Sequence, residues 1–291
     1  MYLLKLIMIE LNEIKLLAQG GQAEIYELGN DKVIRVLRNV EDEGYLKAEM
    51  VTMQALKKKN KSVPTVYEYT QVNGRPSIIM ERLKGNTMLE LIKKNPLQLF
   101  KYAEKLANLH VEITTPIEGL GLYSIRDRAT HLIPKAEMLE EDVKKFVLDI
   151  LKGLPNGSDL CHGDFHPGNI MIVGDQYYVI DWFGATYGRK LSDMAHTYLI
   201  LRNTPKIPGV SKIQNYLIGV SGTIISGKYL STLQKLQGID YSEFSRWMVI
   251  RAAERVYYGM PFEKEALVNF IKRCMKAQAS GVNPDGWWKF I

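Results

Sequence analysis

Cys161-His162-Gly163-Asp164-Phe165-His166-Pro167-Gly168-Asn169-Ile170 is the stretch on which the reading of this chain turns. Asp164 and Asn169 stand five apart across a Pro-Gly step, which marks a loop and not a helix. The run NIMIVGDQYYVID follows, two apolar segments around a turn at Gly174-Asp175, ending on Asp181. This is a hairpin pattern, and a hairpin returns Asp181 close to Asn169. Asp164, Asn169 and Asp181 then offer two carboxylates and an amide oxygen, hard donors of the kind Mg2+ takes. Phosphoryl transfer calls for this set: one group orients the attacking hydroxyl, and others hold the metal that bridges the phosphates.

Upstream, residues 14–38 read as strand, glycine turn, strand, a second turn at Gly29-Asn30-Asp31, and strand. Residues 43–59 lack proline and carry apolar residues near helical spacing, so a helix is expected there. After Pro64 two further strands meet at Asn73-Gly74, a strong hairpin signal. From about residue 86 the texture turns helical, over 97–113, 134–152 and several segments between 191 and 278. The expected fold is α+β and bilobal. Residues 1–84 form a small β-rich N-lobe with one helix, and residues 85–291 a larger, mainly helical C-lobe, with a ligand cleft between the lobes.

His162-Gly163-Asp164 with Asn169, followed by Ile180-Asp181-Trp182, resembles the catalytic and metal-binding motifs of the aminoglycoside phosphotransferase and choline kinase-like family, which shares the protein-kinase architecture. HGD stands where protein kinases have HRD, and IDW where they have DFG. The resemblance spans nearly the whole chain. It implies Asp164 as catalytic base and Asn169 and Asp181 as Mg2+ ligands, with ATP, or alternatively GTP, as donor. Gly20, Gly21, Gln22, Ala23 and Ile25 are placed like the nucleotide-covering loop, where glycines let backbone N–H groups approach phosphate. Val33 would touch adenine, and Arg35, two residues on and on the same strand face, would reach the α- and β-phosphates. The cation is Arg where protein kinases have Lys, which alters its geometry towards phosphate. Glu49 resembles the glutamate that anchors this cation, with Glu43 as its rival. Met80, Glu81 and Leu83 fall on the hinge, whose backbone would face the adenine edge. Asp193 matches the start of the family's Asp-Leu-Ala helix, where it would cap the helix and brace the catalytic loop. His162 reads as structural, His110 as a packing residue, and His166, His131 and His196 carry no assignable role.

The function expected is transfer of a γ-phosphate to a hydroxyl of a small molecule: an aminoglycoside, amino alcohol, sugar or similar compound. Two alternatives stand beside it. One is an atypical protein kinase, although only about ten residues follow Asp181 before the next helix near Ser192, with no Ala-Pro-Glu-like anchor. The other is a non-catalytic nucleotide-binding module. Glu137, Glu140, Glu141 and Asp142 are candidates for an acidic cleft, against a plain solvated helix face. Tyr257, Tyr258, Trp287 and Trp288 are candidates for a pocket wall, against plain packing.

Composition narrows the classes. Hydrophobic residues make up 46% and charged residues 24% of 291, ordinary for a globular protein. The net charge of +6 is spread along the chain with no dense basic stripe, which argues against specific nucleic-acid binding. The two cysteines do not make a disulfide scaffold, so a reduced, cytoplasmic setting is expected. The apolar N-terminal nine residues are too short to span a bilayer and lack a cleavage site. They read either as a first strand or as an extension ahead of a start at Met8, and no membrane role is expected.

Overall fold

The computed structural model describes residues 11–116, 119–203 and 209–291. The N-terminal nine residues and the choice between Met1 and Met8 lie outside them. In chain order the elements are β1 (Leu16–Gln19), β2 (Ala23–Leu28), β3 (Lys32–Leu37), α1 (Glu43–Lys58), β4 (Val66–Val72), β5 (Arg75–Glu81), β6 (Asn86–Thr87), α2 (Met88–Lys94), α3 (Leu99–Ile113), α4 (Ile125–Leu132), α5 (Glu141–Gly153), β7 (Asp159–Cys161), β8 (Ile170–Val173), β9 (Gln176–Val179) and β10 (Thr186–Gly188). Four helices follow, α6 (Lys190–Arg202), α7 (Lys212–Gln237), α8 (Tyr241–Tyr258) and α9 (Pro261–Ala279), and a 3-10 helix over Pro284–Phe290 comes last. The fold is α+β, with an antiparallel N-terminal sheet and a helical C-terminal part.

The chain groups into two units. Unit one holds residues 1–91, 119–121 and 167–185, and unit two the remainder. The hairpin that ends on Asp181 thus packs with the N-terminal sheet and not with the helices on either side of it in sequence, which a single cut at residue 84 does not anticipate.

Unit one is built on a five-stranded sheet in the order β1-β2-β3-β5-β4, antiparallel throughout. The β4–β5 turn has positive φ at both Asn73 and Gly74, the two-residue hairpin that Asn-Gly favours. Strand alternation puts Ile34, Val36, Val72 and Ile79 into one buried cluster. Helix α1 covers the sheet through Leu46, Met53 and Leu56, and buries Glu49 on the same side. A second sheet, β6-β8-β9, carries the hairpin expected over 169–181, with Gly174 at φ 58° in its turn.

Unit two is helical around α8, which buries residues on nearly all its faces, including Phe244, Trp247, Met248 and Ile250. A helix expected over 134–152 begins later, at Glu141. Pro134 sits in a short 3-10 turn over Ile133–Lys135, and Ala136 and Glu140 leave helical geometry, so the chain reverses before α5 starts. Trp287 is fully buried against Phe146, and Trp288 stacks on Tyr241, so both tryptophans pack the C-terminus onto this unit. Glu140 and Glu141 are exposed and paired with Lys272 and Lys144, a solvated helix end. Cys161 and Cys274 are both buried and unbridged. Among the described residues no helix is long and apolar enough to cross a membrane.

Gly85 precedes β6, which pairs with β8 at Asn86–Ile172 and Thr87–Met171. A Cβ at Gly85 would overlap the Ile172 backbone carbonyl. Gly85→Ala is expected to cost about 1–3 kcal/mol in urea unfolding, the usual range for forced overpacking. Gly44→Ala, in open space on α1, should leave stability unchanged or slightly raised.

Candidate active site

A cavity of about 690 Å³ opens within unit one, of the size usual for small-molecule sites. The β1–β2 turn supplies Gly20, Gly21 and Gln22 to its lining, and Ala23 and Ile25 follow from β2. On β3, Val33 and Arg35 share the face that lines it, as the strand period requires. Met80, Glu81 and Leu83 line another side. The Glu81 N–H donates to the Thr65 carbonyl at 2.8 Å, and its carboxylate accepts from the Thr65 N–H and hydroxyl, both at 2.9 Å. The Glu81 side chain is therefore committed to Thr65, leaving backbone to meet a ligand there.

Arg35 is buried and sits between two carboxylates. Its Nε lies 3.3 Å from Glu49 Oε2, and its Nη2 donates to Asp181 Oδ1 at 3.0 Å. The guanidinium also lies 5.7 Å from the Phe183 ring centre. Burial opposes the charge on Arg35, but Glu49 and Asp181 outweigh it and hold the guanidinium's proton affinity above its usual value. Burial pushes the Glu49 carboxyl up to about 7, opposed by Arg35 and reinforced by Asp181. Glu43 is engaged elsewhere, with Lys47 at 2.7 Å and the Tyr69 hydroxyl at 2.5 Å, so Glu49 is the partner of the β3 cation.

Asn169 closes a 3-10 turn over Pro167–Asn169, and its carbonyl accepts from the Ile180 N–H at 3.0 Å. That bond draws Asn169 and Asp181 to one end of the β8–β9 hairpin, and both line the cavity. Asp181 takes φ 62°, ψ 65°, a left-handed conformation that costs energy for a residue with a Cβ. The strained backbone presents its carboxylate, one-third exposed, towards Arg35. An amide oxygen and a carboxylate on one wall fit Mg2+, which keeps several waters and takes one or two protein oxygens together with substrate phosphates.

Asp164 belongs to unit two, in the loop after β7. Its side chain is about half exposed. The Asp164 N–H donates to His162 Nδ1 at 3.2 Å, and His166 Nε2 lies 3.5 Å from Asp164 Oδ2. Partial burial pushes the Asp164 carboxyl up. The hydrogen bond and charge of His166, with His162 and Arg255 beyond, outweigh that and hold it below the usual carboxylate range.

The loop is held from beneath by Asp193. Its Oδ2 accepts from the His162 N–H at 2.6 Å and its Oδ1 from the Gly163 N–H at 2.9 Å. His110 Nε2 lies 3.1 Å from Asp193 Oδ2, and Tyr229 Oη lies 2.6 Å from His110 Nδ1. Facing the ionised Asp193, His110 donates from Nε2, and its Nδ1 meets the Tyr229 hydroxyl. His110 is thus more than the packing residue expected: it is the third donor to the buried carboxylate. Asp193 braces the loop as expected but does not cap α6; it lies in the first turn, Arg189 occupies the cap position, and no side-chain cap bond forms there. His196, which carries no signal in the sequence, is buried between Arg251 and Arg255.

Residues 13–219 match the family described as APH, phosphotransferase enzyme family. The chain belongs to this family. It is therefore a phosphotransferase of the small-molecule kinase type. No curated protein matches the phosphotransferase in sequence. Solved structures share its fold. Aminoglycoside phosphotransferase APH(4)-Ia, a thermostable mutant in ternary complex with ADP and hygromycin B, is 16% identical with a TM-score of 0.61, over 92% of this chain and 94% of that one. Amicoumacin kinase hAmiN in complex with AMP-PNP, Ca2+ and Ami is 15% identical with a TM-score of 0.61, over 96% and 91%. The GDP and kanamycin complex of APH(2")-IIia is 14% identical with a TM-score of 0.55, over 94% and 95%.

Burial pushes the Asp193 carboxyl up, but the hydrogen bond and charge of His110, with the charges of His162 and Arg251, outweigh it and hold the group well below its ordinary value of 3.8. Asp193→Ala in the phosphotransferase is expected to lose about 3–5 kcal/mol of stability, as removal of one partner from a buried charged set does. A carboxyl with a lowered folded value contributes its full stabilisation above its unfolded value and loses it as pH falls through the folded one. The gap between wild type and variant, read by urea unfolding, should hold from neutral pH down to about pH 4 and narrow below it.

Proposed function

We propose that this phosphotransferase moves the γ-phosphate of ATP to a hydroxyl of a small molecule, with Asp164 as the base and Asn169 and Asp181 as the Mg2+ ligands. The observation that carries the reading is the Arg35–Asp181 pair, which lines a glycine-topped cavity together with Asn169 while buried Glu49 holds Arg35 from behind. Arg35 is charged, buried and fixed by two carboxylates, so it would meet the α- and β-phosphates in a set orientation. Gly20 and Gly21 put no side chain between the phosphates and the backbone of this turn, whose Gly20 N–H is itself donated to the Ala23 carbonyl at 2.9 Å. The leading wall of Val33, Met80 and Leu83 is apolar, as an adenine face requires. Mg2+, when bound, neutralises charge on the phosphate oxygens.

Asp164 would accept a hydrogen bond from the acceptor hydroxyl and take its proton as the phosphoryl group leaves ADP. Charge in this transition state rests mainly on phosphate oxygens, so a carboxylate of low proton affinity serves chiefly by aiming the nucleophile. The contact with His166 keeps Asp164 ionised and so able to accept. The relatives bound to ADP, AMP-PNP or GDP support a nucleotide donor and leave ATP and GTP both open. A small acceptor is favoured over a peptide by the path after Asp181. Residues 182–184 form one 3-10 turn, 186–188 pair with β7, and α6 starts at Lys190, so no long activation segment exists to carry a peptide.

Asp164→Ala is expected to lower turnover by about a hundredfold or more while ATP affinity stays close to wild type, measured as ADP release and by calorimetry on the same preparation. Asp164→Ala with undiminished turnover would sink the base assignment. Arg35→Ala should weaken ATP binding, and Asp181→Asn should cut turnover and raise the Mg2+ concentration that half-maximal activity needs. Full activity in EDTA would refute the metal assignment.

A further inference from the structure

The phosphotransfer reading leaves unused a cluster of charged residues in unit two, on α4, α6, α8 and α9. Arg251 and Glu254 on α8 are fully buried. Glu254 Oε2 accepts from Arg251 Nη1 at 2.6 Å and its Oε1 from Arg128 Nε, on α4, at 3.1 Å. Arg255 Nη2 donates to both oxygens of Glu263 at 2.7 and 2.8 Å, and the Met260 N–H adds a third bond to that carboxylate at 2.9 Å. His196, on α6, lies between the two α8 arginines: Arg251 Nη2 is 2.8 Å from its Nδ1, and Arg255 Nη1 and Tyr258 Oη are each 3.3 Å from its Nε2.

Donor bookkeeping at His196 decides what this cluster presents. Burial first, and then the charges of Arg251, Arg255 and Arg128, push the imidazole well below its ordinary value, so it is neutral. A guanidinium can only donate. The shorter contact makes Nδ1 the acceptor for Arg251, so the proton sits on Nε2. Nε2–H then donates to the Tyr258 oxygen and offers nothing to Arg255 Nη1. Two donors remain unspent: the Nη1 end of Arg255 and the hydroxyl hydrogen of Tyr258.

Exposure follows the same polarity. The Glu254 and Glu263 side chains are 0% and 6% exposed, while those of Arg128 and Arg255 are 20% and 15% exposed. The carboxylates are turned inward with both oxygens of each engaged, and the Arg128 and Arg255 side chains are the partly exposed members, with Arg128 Nη2 itself buried. Arg255 is near enough to Asp164 that the charge of each favours the charge of the other. A polycationic acceptor docking beside Asp164 would meet arginine and find both cluster carboxylates taken.

We infer that the acceptor carries an oxyanion, a carboxylate or a phosphate, besides the hydroxyl that is phosphorylated, and that Arg255 Nη1 binds it with Tyr258 Oη and Arg128 beside it. The inference rests on the reading of Asp164 as the group that meets the acceptor hydroxyl. It separates this chain from the neighbours solved with hygromycin B or kanamycin.

The test uses the whole chain with Mg2+ and saturating ADP, so that the phosphate-binding groups of unit one are occupied. ADP binding is measured first and reports on the nucleotide half of the phosphotransfer reading alone. Inorganic phosphate, gluconate, glucose and kanamycin are then titrated by calorimetry. The expected result is that phosphate or gluconate binds more tightly than glucose or kanamycin. Arg255→Met should weaken that binding about tenfold to a hundredfold, the worth of one charge-assisted hydrogen bond, and Arg255→Lys should restore part of it. Kanamycin or glucose ranking first, no anion binding at all, or anion binding indifferent to Arg255→Met would each overturn the inference. If Arg255→Met does not fold, the wild-type ranking decides. With ATP in place of ADP, ADP release with gluconate, glucose 6-phosphate and glucose tells a carboxylate from a phosphate. A protein that binds ADP but ranks kanamycin first keeps the phosphotransfer reading and loses this one.

Discussion

The carboxylate of Asp193 has no exposure and accepts three hydrogen bonds, two from the backbone at His162 and Gly163 and one from His110. A bare charge in that position would cost several kcal/mol, and only converging donors make it tolerable. The same donors cannot find another acceptor once the helix carrying Asp193 is packed. The loop that bears Asp164 is thereby tied to α6, and through His110 and Tyr229 to α3 and α7. Gly163 takes φ 83°, so the turn that exposes Asp164 also needs a residue without a Cβ. Thr197 adds a further tie, its hydroxyl donating to the Phe165 carbonyl at 2.8 Å. Asp164 stays half exposed because a buried carboxylate, Asp193, holds its loop in place.

Unit one solves a related problem with the signs reversed. Arg35 is a buried cation, and Glu49 and Asp181 compensate it from α1 and from the end of the β8–β9 hairpin. The two carboxylates differ in exposure, Glu49 sealed and Asp181 one-third open. Only the open one can change partners when a ligand arrives. The closed pair therefore reads as the anchor and the open pair as the responsive contact. The pairing is held on a left-handed backbone at Asp181, a conformation that propensity disfavours for a residue with a Cβ.

The arginine cluster of unit two shows how hydrogen-bond directionality sorts charge. Arginine cannot accept, a neutral imidazole accepts once, and each carboxylate is filled by two or three donors. Those limits leave the carboxylates sealed and filled, and what exposure the cluster keeps falls to Arg128 and Arg255. A count of Arg, Glu and His along α8 and α9 does not reveal this, because the net charge of the set is small and the polarity lies in which side chains stay partly open.

Much of this was legible from the chain alone wherever the governing physics is local. Asn73-Gly74 dictates a tight hairpin through its left-handed turn, Val33 and Arg35 share a face through the strand period, and the spacing of Asp164, Asn169 and Asp181 announces a loop followed by a hairpin. Those features led to the fold class, and the family resemblance carried by the motifs led to the residues that line the cavity. The bracing of Asp193 against the loop was readable only through resemblance, and its place within the first turn, away from the cap, was not. His110 and Asp193 are 83 residues apart, and His196 and Arg251 are 55 apart. No local pattern marks such pairs, since a histidine facing a carboxylate and a histidine facing a leucine occupy the same helical register. The late start of α5 likewise depends on a chain reversal that apolar periodicity does not record. Turns, periods and motif spacing are properties of neighbouring residues and travel with the sequence. Which buried charge meets which donor is a property of packing, and it exists only once distant helices have closed on one another.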